Sequence, residues 1–131
     1  MGAMRYLLDT HTLLFAQADP ARLSRRSKRI IEDRSTRLLV SAASAWEVAT
    51  KHRLGRLPTA ASLIARWSDQ LKEMDAHELE ITSAHALLAG SFAVDHRDPF
   101  DRLLAAQAVI ENVTLLTDDP ALRAFPVTTA W

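Results

Sequence analysis

Three short apolar runs, each closed by a polar or acidic residue, constrain the fold of this chain more than any other feature. They predict strands at residues 6–8, 38–41 and 113–117, and helix-like sequence follows each of them. Apolar runs of this length are typical of strands buried on both faces of a sheet. Because the strands alternate with helices, the sequence predicts an α/β/α sandwich around a central parallel sheet of four to five short strands.

The remaining elements are predicted from helical spacing and from the residues that cap or break helices. Two weaker strands are expected at residues 79–81 and 126–128, the second at a sheet edge, where proline is tolerated. Thr10 is the predicted N-cap of the first helix, and the structural interpretation of Asp9 is that it shares in this capping. Leu63 to Leu71 carry an apolar stripe that should face the core or a dimer partner. The predicted helices cover residues 11–17, 24–34, 43–53, 60–74, 83–89 and a stretch beginning at Pro99.

Composition excludes several classes of site. At 131 residues we expect one domain covering residues 1–131, with Met1 to Ala3 added for expression and Met4 the natural start. No cysteine is present, which excludes disulfides, thiolate metal sites and a cysteine nucleophile. Three glycines are too few for a glycine-rich phosphate loop. No apolar run approaches the ~20 residues of a membrane span, so we expect no membrane partner and a cytoplasmic location.

Residues 96–108 place two carboxylates at the start of a helix. Asp98 suits the N-cap, Pro99 the first helical position and Asp101 the first turn. Helix capping alone explains both acids, at ~1 kcal/mol for the cap. The rest of the chain, however, puts further acids just after predicted strands or early in the following helix, where the carboxyl ends of parallel strands meet. These acids are Asp9, Glu47, Asp118 and Asp119.

Clustered carboxylates at one sheet edge imply a bound cation. Two carboxylates within ~5 Å repel by roughly 3 kcal/mol at an effective dielectric constant of 20, and protons or cations relieve that cost. Ligands that are all oxygen select hard ions such as Mg²⁺ or Mn²⁺. Paired ions of this kind activate water and stabilise the leaving oxygen in phosphodiester cleavage.

Sixteen basic and sixteen acidic residues cancel, so only local clusters of charge bear on a nucleic-acid partner. Helix 24–34 carries Arg25 and Arg29 on its polar face, and Lys51 and Arg53 form a second basic cluster. A solvated helix face explains the first cluster, and a Glu47–Lys51 pair one turn apart explains part of the second. The sharper interpretation of the first cluster is a patch that binds a run of phosphates.

The acidic motifs, taken in order, resemble those of PIN-domain ribonucleases, and specifically the VapC-type toxins of bacterial type II toxin–antitoxin modules. The resemblance covers Arg5 to Trp131. The segments that carry it are residues 7–14, 41–48, 96–108 and 115–120, with the closing Trp131.

The resemblance implies a Mg²⁺-dependent or Mn²⁺-dependent endoribonuclease that leaves a 5′-phosphate and a 3′-hydroxyl. It also implies that the two basic clusters hold the RNA backbone, that the protein is a homodimer, and that a cognate antitoxin blocks the site. Residue by residue, it makes Asp9, Glu47, Asp101 and Asp119 the catalytic metal ligands, with Asp98 an additional acid. Asp101 is favoured over Asp98 as the ligand because capping already explains Asp98. Thr117 is expected to orient water at the metal, with Thr10 in support.

Other functions remain open at this point. A catalytically inactive domain of the same fold would act by binding RNA or protein, and the near-complete set of acids counts against it. A receiver-like phosphoacceptor domain needs an acid pair after the first strand and a lysine after the last, which the chain lacks. A phosphatase with two acids flanking one residue after the first strand is excluded because His11 takes the second position.

Overall fold

The computed structural model describes residues 4–131, so the expectation about residues 1–3 lies outside the described residues. Within that range a sheet of five parallel strands has the spatial order β3-β2-β1-β4-β5. The strands are β1 (Arg5–Leu8), β2 (Arg37–Ser41), β3 (Ala76–Leu79), β4 (Thr114–Leu116) and β5 (Thr129–Ala130). The predicted parallel sheet is therefore confirmed.

Seven α-helices of the described residues cover the two faces of the sheet. They are α1 (Thr10–Ala18), α2 (Arg25–Glu32), α3 (Ala42–Arg53), α4 (Ala61–Ala65), α5 (Trp67–Glu73), α6 (Ser83–Ser91) and α7 (Pro99–Glu111). Short 3₁₀ turns occupy Pro20–Arg22, Pro58–Ala60 and Pro120–Ala124. None of the helices described is both long and apolar enough to span a bilayer.

Alternate residues of the central strands pack into two separate cores, which is why these strands are apolar throughout. Tyr6 and Leu8 of β1 face one core, which also contains Leu13 of α1 and Leu71 of α5. Between them, Leu7 faces the other core. That second core contains Leu39, Leu115, Leu104, Ala105, Ala108 and Phe125. The predicted α/β/α sandwich is confirmed. The helix α7 packs on the second face of the sheet through the apolar residues that the sequence predicts to be buried.

The strand order creates a crevice beside β1. The chain passes from β1 outward to β2 and β3, then returns to place β4 on the other side of β1. Leu8 of β1 pairs with Val40 on one side and with Leu116 on the other. In open parallel sheets the ligand binds outside the carboxyl ends of the strands at such a switch point. The segments that leave β1 and β4 therefore border the expected site.

The predicted helix over residues 60–74 is wrong in its continuity. A 3₁₀ turn, α4 and α5 replace it, with a break at Arg66, where φ is −118° and ψ is 28°. The apolar stripe is still buried, because Leu63 and Leu71 are core residues and Ile64 and Trp67 pack against the core. The spacing therefore gave the buried face correctly and missed a local bend.

Two strand positions are also corrected. The strand predicted at residues 79–81 is β3, Ala76–Leu79, which begins after Asp75 turns the chain with φ of 55°. β3 is an edge strand with exposed central residues, so it lacks an apolar run. The strand predicted at residues 126–128 is β5, Thr129–Ala130, because the Val127 N–H donates to the Phe125 carbonyl oxygen in a tight turn and the ladder with β4 begins only at the Thr128 carbonyl oxygen.

The first core should be sensitive to loss of volume in β1. Leu8→Ala removes a side chain with no exposed surface, and we expect it to lower the free energy of unfolding by about 3 kcal/mol. Leu87→Ala is the matched control, because Leu87 is 72% exposed and should change stability by less than about 0.5 kcal/mol. Urea denaturation measures both, and equal effects would contradict the core assignment.

Candidate active site at the carboxyl edge of the sheet

Asp9 lies at the switch point and connects β1, α1 and β4. It is buried, and it is the N-cap of α1, with Oδ1 accepting the Thr12 backbone N–H at 2.7 Å. The prediction of Thr10 as the cap is therefore wrong by one residue. Oδ2 of Asp9 accepts a hydrogen bond from the Thr117 hydroxyl just past β4. Both oxygens of this carboxylate are held by the backbone and side chains that border the crevice.

Burial raises the pKa of Asp9 above its ordinary value, because the charged carboxylate has lost water. Hydrogen bonds from Thr117 and Thr12, and the nearby charge of His11, act in the opposite direction without cancelling the effect of burial. A carboxylate held in this way is more stable next to a cation than alone.

Glu47 lies on α3, and its side chain is also buried. Its Oε2 pairs with Lys51 one turn later, as the spacing predicts. Its Oε1 is buried and has no hydrogen-bond partner among the described residues. Thr10 fixes this helix against α1 through a hydroxyl contact of 2.9 Å with Ser44. An unpaired buried carboxylate oxygen is costly and indicates a missing ligand such as a cation.

Asp98 and Asp101 have different roles at the start of α7. Asp98 is the N-cap, and its Oδ1 accepts the N–H groups of Phe100 at 2.9 Å and Asp101 at 3.3 Å. Asp101 is free of capping, and its Oδ2 contacts Nε2 of His96 at 2.8 Å. The structure thus gives Asp98 a structural role and leaves Asp101 directed at other side chains.

Burial raises the pKa of Asp101 to about 6. The hydrogen bond and charge of His96 lower it, whereas the charges of Asp98 and Glu47 raise it further. Glu47 and Asp98 therefore each lie near enough to Asp101 to repel its charged form. A cation among them would relieve this repulsion.

Asp119 and Thr117 follow β4. The Asp119 side chain caps a 3₁₀ turn by accepting the Ala121 N–H at 2.9 Å, and its own N–H donates to the Thr117 hydroxyl oxygen at 3.0 Å. Thr117 is buried and gives its hydroxyl hydrogen to Asp9. It therefore links the last acid to the first.

The predicted acids lie in two groups. Asp9, Thr117 and Asp119 form one, and Glu47, Asp98 and Asp101 form the other. In the part of the chain that the structure describes, no three histidine, aspartate or glutamate side chains converge tightly enough to form a ready metal cage. The single cluster of these five acids therefore stays a prediction.

The predicted basic residues are dispersed. Arg25 and Arg29 are exposed on α2, and Arg53 is exposed at the end of α3. Lys51 is partly buried and pairs with Glu47. The structure thus agrees with the ordinary interpretation of Lys51, which is an ion pair with Glu47 one turn away on the same helix.

Two residues of the site were missed from the sequence. His96 contacts Asp101 from a loop, where spacing gives no signal of proximity. Arg102 donates to four carbonyl oxygens at 2.7 to 3.0 Å, that of Ala89 in α6 and those of Phe92, Val94 and His96 in the loop that follows. An arginine directly after a candidate acid was the only available signal, and it did not indicate this role.

Comparisons with known proteins agree with this geometry. A family model described as PIN domain matches residues 6–127. Ribonuclease VapC22 of Mycobacterium tuberculosis (strain ATCC 25618 / H37Rv) is 33% identical over 119 residues, which are 90% of this chain and 89% of that protein.

Two solved structures share the fold at low sequence identity. VapBC2 from Rickettsia felis, bound to a DNA fragment from their promoter, matches with a TM-score of 0.64 at 14% identity, over 97% of this chain and 98% of that one. FitAcB from Neisseria gonorrhoeae matches with a TM-score of 0.55 at 18% identity, over 95% of each chain.

The loop before α7 should depend on Arg102. Arg102→Gln leaves most of the four carbonyl oxygens without a charged donor, and we expect a loss of about 2 kcal/mol in the free energy of unfolding. Arg97→Gln, at an exposed position of the same loop, should change it by less than about 0.5 kcal/mol. Chemical denaturation compares the two, and an equal response would show that Arg102 does not hold the loop.

The raised pKa of Asp101 gives a pH-dependent stability in metal-free protein. Between about pH 4 and 6 the folded protein keeps a proton that the unfolded chain has lost, so this group lowers stability as pH rises. With chelator present, Asp101→Asn should therefore raise the free energy of unfolding by about 1–2 kcal/mol near pH 7.5 and change it little near pH 4.

Thermal or urea unfolding at the two pH values measures this difference. Asp95→Asn, an exposed acid of the preceding loop, is the control and should have no such pH-dependent effect. An Asp101→Asn effect that is the same at both pH values would contradict the raised pKa.

Proposed function

The chain belongs to the PIN domain family, and from that premise we propose that it is the ribonuclease toxin of a type II toxin–antitoxin module, cleaving RNA with Mg²⁺ or Mn²⁺. The observation that carries the proposal is the set of buried carboxylates around the switch point, with the pKa of Asp9 and Asp101 raised by burial. A cytoplasmic site of action follows from an RNA substrate.

The acids suit a hard divalent cation. The donors are carboxylate oxygens without nitrogen or sulfur, the set that Mg²⁺ and Mn²⁺ prefer. Oε1 of Glu47 is buried and unpartnered among the described residues, as expected of a ligand oxygen. Because Mg²⁺ keeps several waters, it does not require a cage built from protein side chains alone.

Asp9, Glu47, Asp101 and Asp119 are the proposed ligands, with Asp98 a further acid close to Asp101. A cation held there would supply Lewis-acid activation of water and neutralise charge that develops on the phosphate.

The chain's own residues orient these ligands. The Thr117 hydroxyl donates a hydrogen bond to Oδ2 of Asp9, so it fixes that carboxylate. Its role in orienting water at the metal stays part of the proposal. His96 contacts Oδ2 of Asp101, and Lys51 pairs with Oε2 of Glu47. The other oxygen of each carboxylate takes no part in these two contacts. Carboxylates that are already held in place need less rearrangement when substrate binds. In-line attack by water on the phosphorus, with cleavage of the P–O3′ bond and protonation of the departing 3′ oxygen, would leave a 5′-phosphate and a 3′-hydroxyl.

The proposal includes three partners. Arg25, Arg29 and Arg53 are exposed cations suited to RNA phosphates, while Lys51 acts mainly on Glu47. A cognate antitoxin is proposed from the family resemblance and because the solved structures that share the fold include VapBC2 and FitAcB. A homodimer is proposed from the family resemblance.

Cleavage of RNA should require both the cation and Asp9. We expect discrete fragments of total cellular RNA with Mg²⁺ or Mn²⁺, and none after EDTA. Asp9→Asn should lower the rate by about 100-fold or more, because it removes a buried ligand charge. Gel analysis with a titration of each metal measures this.

Asp95→Asn is the matched control at an exposed acid and should cleave like wild type. Equal cleavage by wild type and Asp9→Asn would contradict the assignment of Asp9. Growth inhibition that survives Asp9→Asn, without cleavage by either protein, would favour the inactive binding domain instead.

A further inference from the structure

A surface pocket of about 340 Å³ adjoins the candidate active site. Of its six lining residues the proposed catalysis uses only one, Asp119. The pocket is lined by His11, Phe15, Arg22, Asp118, Asp119 and Pro120. Its volume is at the lower end of the range for small-molecule sites, which suits one base and its ribose.

Phe15 contacts two of the other residues that line this pocket, His11 and Arg22. The His11 ring lies nearly parallel to the Phe15 ring, with centroids 6.3 Å apart and an interplanar angle of 23°. The Arg22 guanidinium lies over the same Phe15 ring, with Cζ 4.4 Å from the ring centroid. Trp131 packs edge-on against Phe15 at 6.5 Å. The partly buried Phe15 ring therefore contacts both the exposed imidazole of His11 and the exposed guanidinium of Arg22.

The pocket is continuous with the catalytic acids. It shares Asp119 with them, and His11 lies close enough to Asp9 to lower the pKa of that carboxyl. His11 is on α1, one residue after Thr10, and Asp118 directly precedes Asp119. A chain of nucleotides with its phosphate at the acids would thus place a neighbouring nucleotide at the pocket.

Charged residues of both signs line the pocket. Arg22 supplies a cation suited to a phosphate, and Asp118 supplies an exposed carboxylate that takes part in no hydrogen bond or ion pair among residues 4–131. An exposed carboxylate repels phosphate, so its partner must be a group that donates hydrogen bonds. The edge of a nucleobase meets that requirement, since single-stranded RNA is recognised by stacking on aromatic rings and by hydrogen bonds to base edges.

We propose that this pocket is a nucleobase subsite beside the scissile phosphate, that His11 stacks on the base, and that Asp118 gives a preference for guanine. Guanine presents two adjacent N–H donors, N1–H and N2–H, and a carboxylate has two acceptor oxygens to match them. Uracil presents one N–H between two carbonyl oxygens, so it should bind weakest. Arg22 contacts the phosphate of the same nucleotide. The inference deepens the proposed ribonuclease function and rests on it.

The first experiment measures binding without catalysis. The indole N–H signal of Trp131, which packs on Phe15, is followed by NMR while each of the four ribonucleoside 5′-monophosphates is added in EDTA. We expect the guanine nucleotide to bind most tightly. His11→Ala should weaken all four by about tenfold, the scale of one lost stacking contact. Asp118→Asn should remove the guanine preference, and Arg22→Gln should weaken all four equally.

Matched controls lie at exposed positions outside the pocket. His77→Ala on β3, Arg66→Gln before α5 and Asp95→Asn before α7 change the same residue types and should bind like wild type. Binding that responds to these controls as much as to the pocket variants would overturn the inference.

The second experiment maps cleavage ends on a random-sequence RNA with Mg²⁺. Wild type should show guanine enriched at one fixed position beside the cut, and Asp118→Asn should lower cleavage at those sites toward that of other bases. Cleavage whose base bias is unchanged in Asp118→Asn and His11→Ala would overturn the subsite while the ribonuclease proposal stands.

Failure of the two proposals can be told apart. Nucleotide binding with the expected variant pattern, but no cleavage with either metal, would support the subsite and reject the ribonuclease. Binding of N-acetyl-arginine amide that Asp118→Asn abolishes, with no nucleotide bound, would assign the pocket to an arginine of a partner protein and overturn the inference.

Discussion

The parallel pairing of β4 beside β1 is the constraint on which the rest of the site depends. It places Thr117 next to Asp9, although the two residues are far apart in sequence, and the hydrogen bond between them closes the switch point. Asp9 in turn caps α1, so the first helix is anchored to the same carboxylate. Loss of the β1–β4 register would separate the first acid from the last and move α1 with it, along with the pocket that His11 and Phe15 line.

The site contains carboxylates in buried positions, which lowers the free energy of unfolding. Burial raises the pKa of both Asp9 and Asp101, and one oxygen of Glu47 is buried without a partner among the described residues. The apolar cores on both faces of the sheet must offset these costs. Binding of a cation would lower them, so a ligand of the active site is also expected to stabilise the fold.

Rigid support of Asp101 comes from the loop before it as much as from α7. Asp98 fixes the start of the helix, and Arg102 ties the loop through four carbonyl oxygens, including that of His96. His96 then reaches the Asp101 carboxylate. The backbone and side-chain contacts of one loop thus determine where the acid points, which the helix alone would leave to rotamer choice.

The sequence by itself determined the sheet, the order of its elements and the identity of the acids that border the crevice. Apolar runs, helical spacing and the capping of α7 by Asp98 are local, so they can be recognised without knowing what lies nearby. The edge strands β3 and β5 were misplaced because their residues are partly exposed and carry no apolar run. The break at Arg66 was missed because the buried stripe continues across it.

Only the tertiary structure decided which acids meet. It joined Asp9 to Asp119 through Thr117 and brought Glu47 and Asp98 near Asp101. It also made Asp9 and not Thr10 the cap of α1, and it paired Lys51 with Glu47. It also brought His96, Arg102 and the Phe15 pocket to the same edge. These contacts join residues on different elements, and the register of strands and the packing of helices set such distances, which no spacing along the chain encodes.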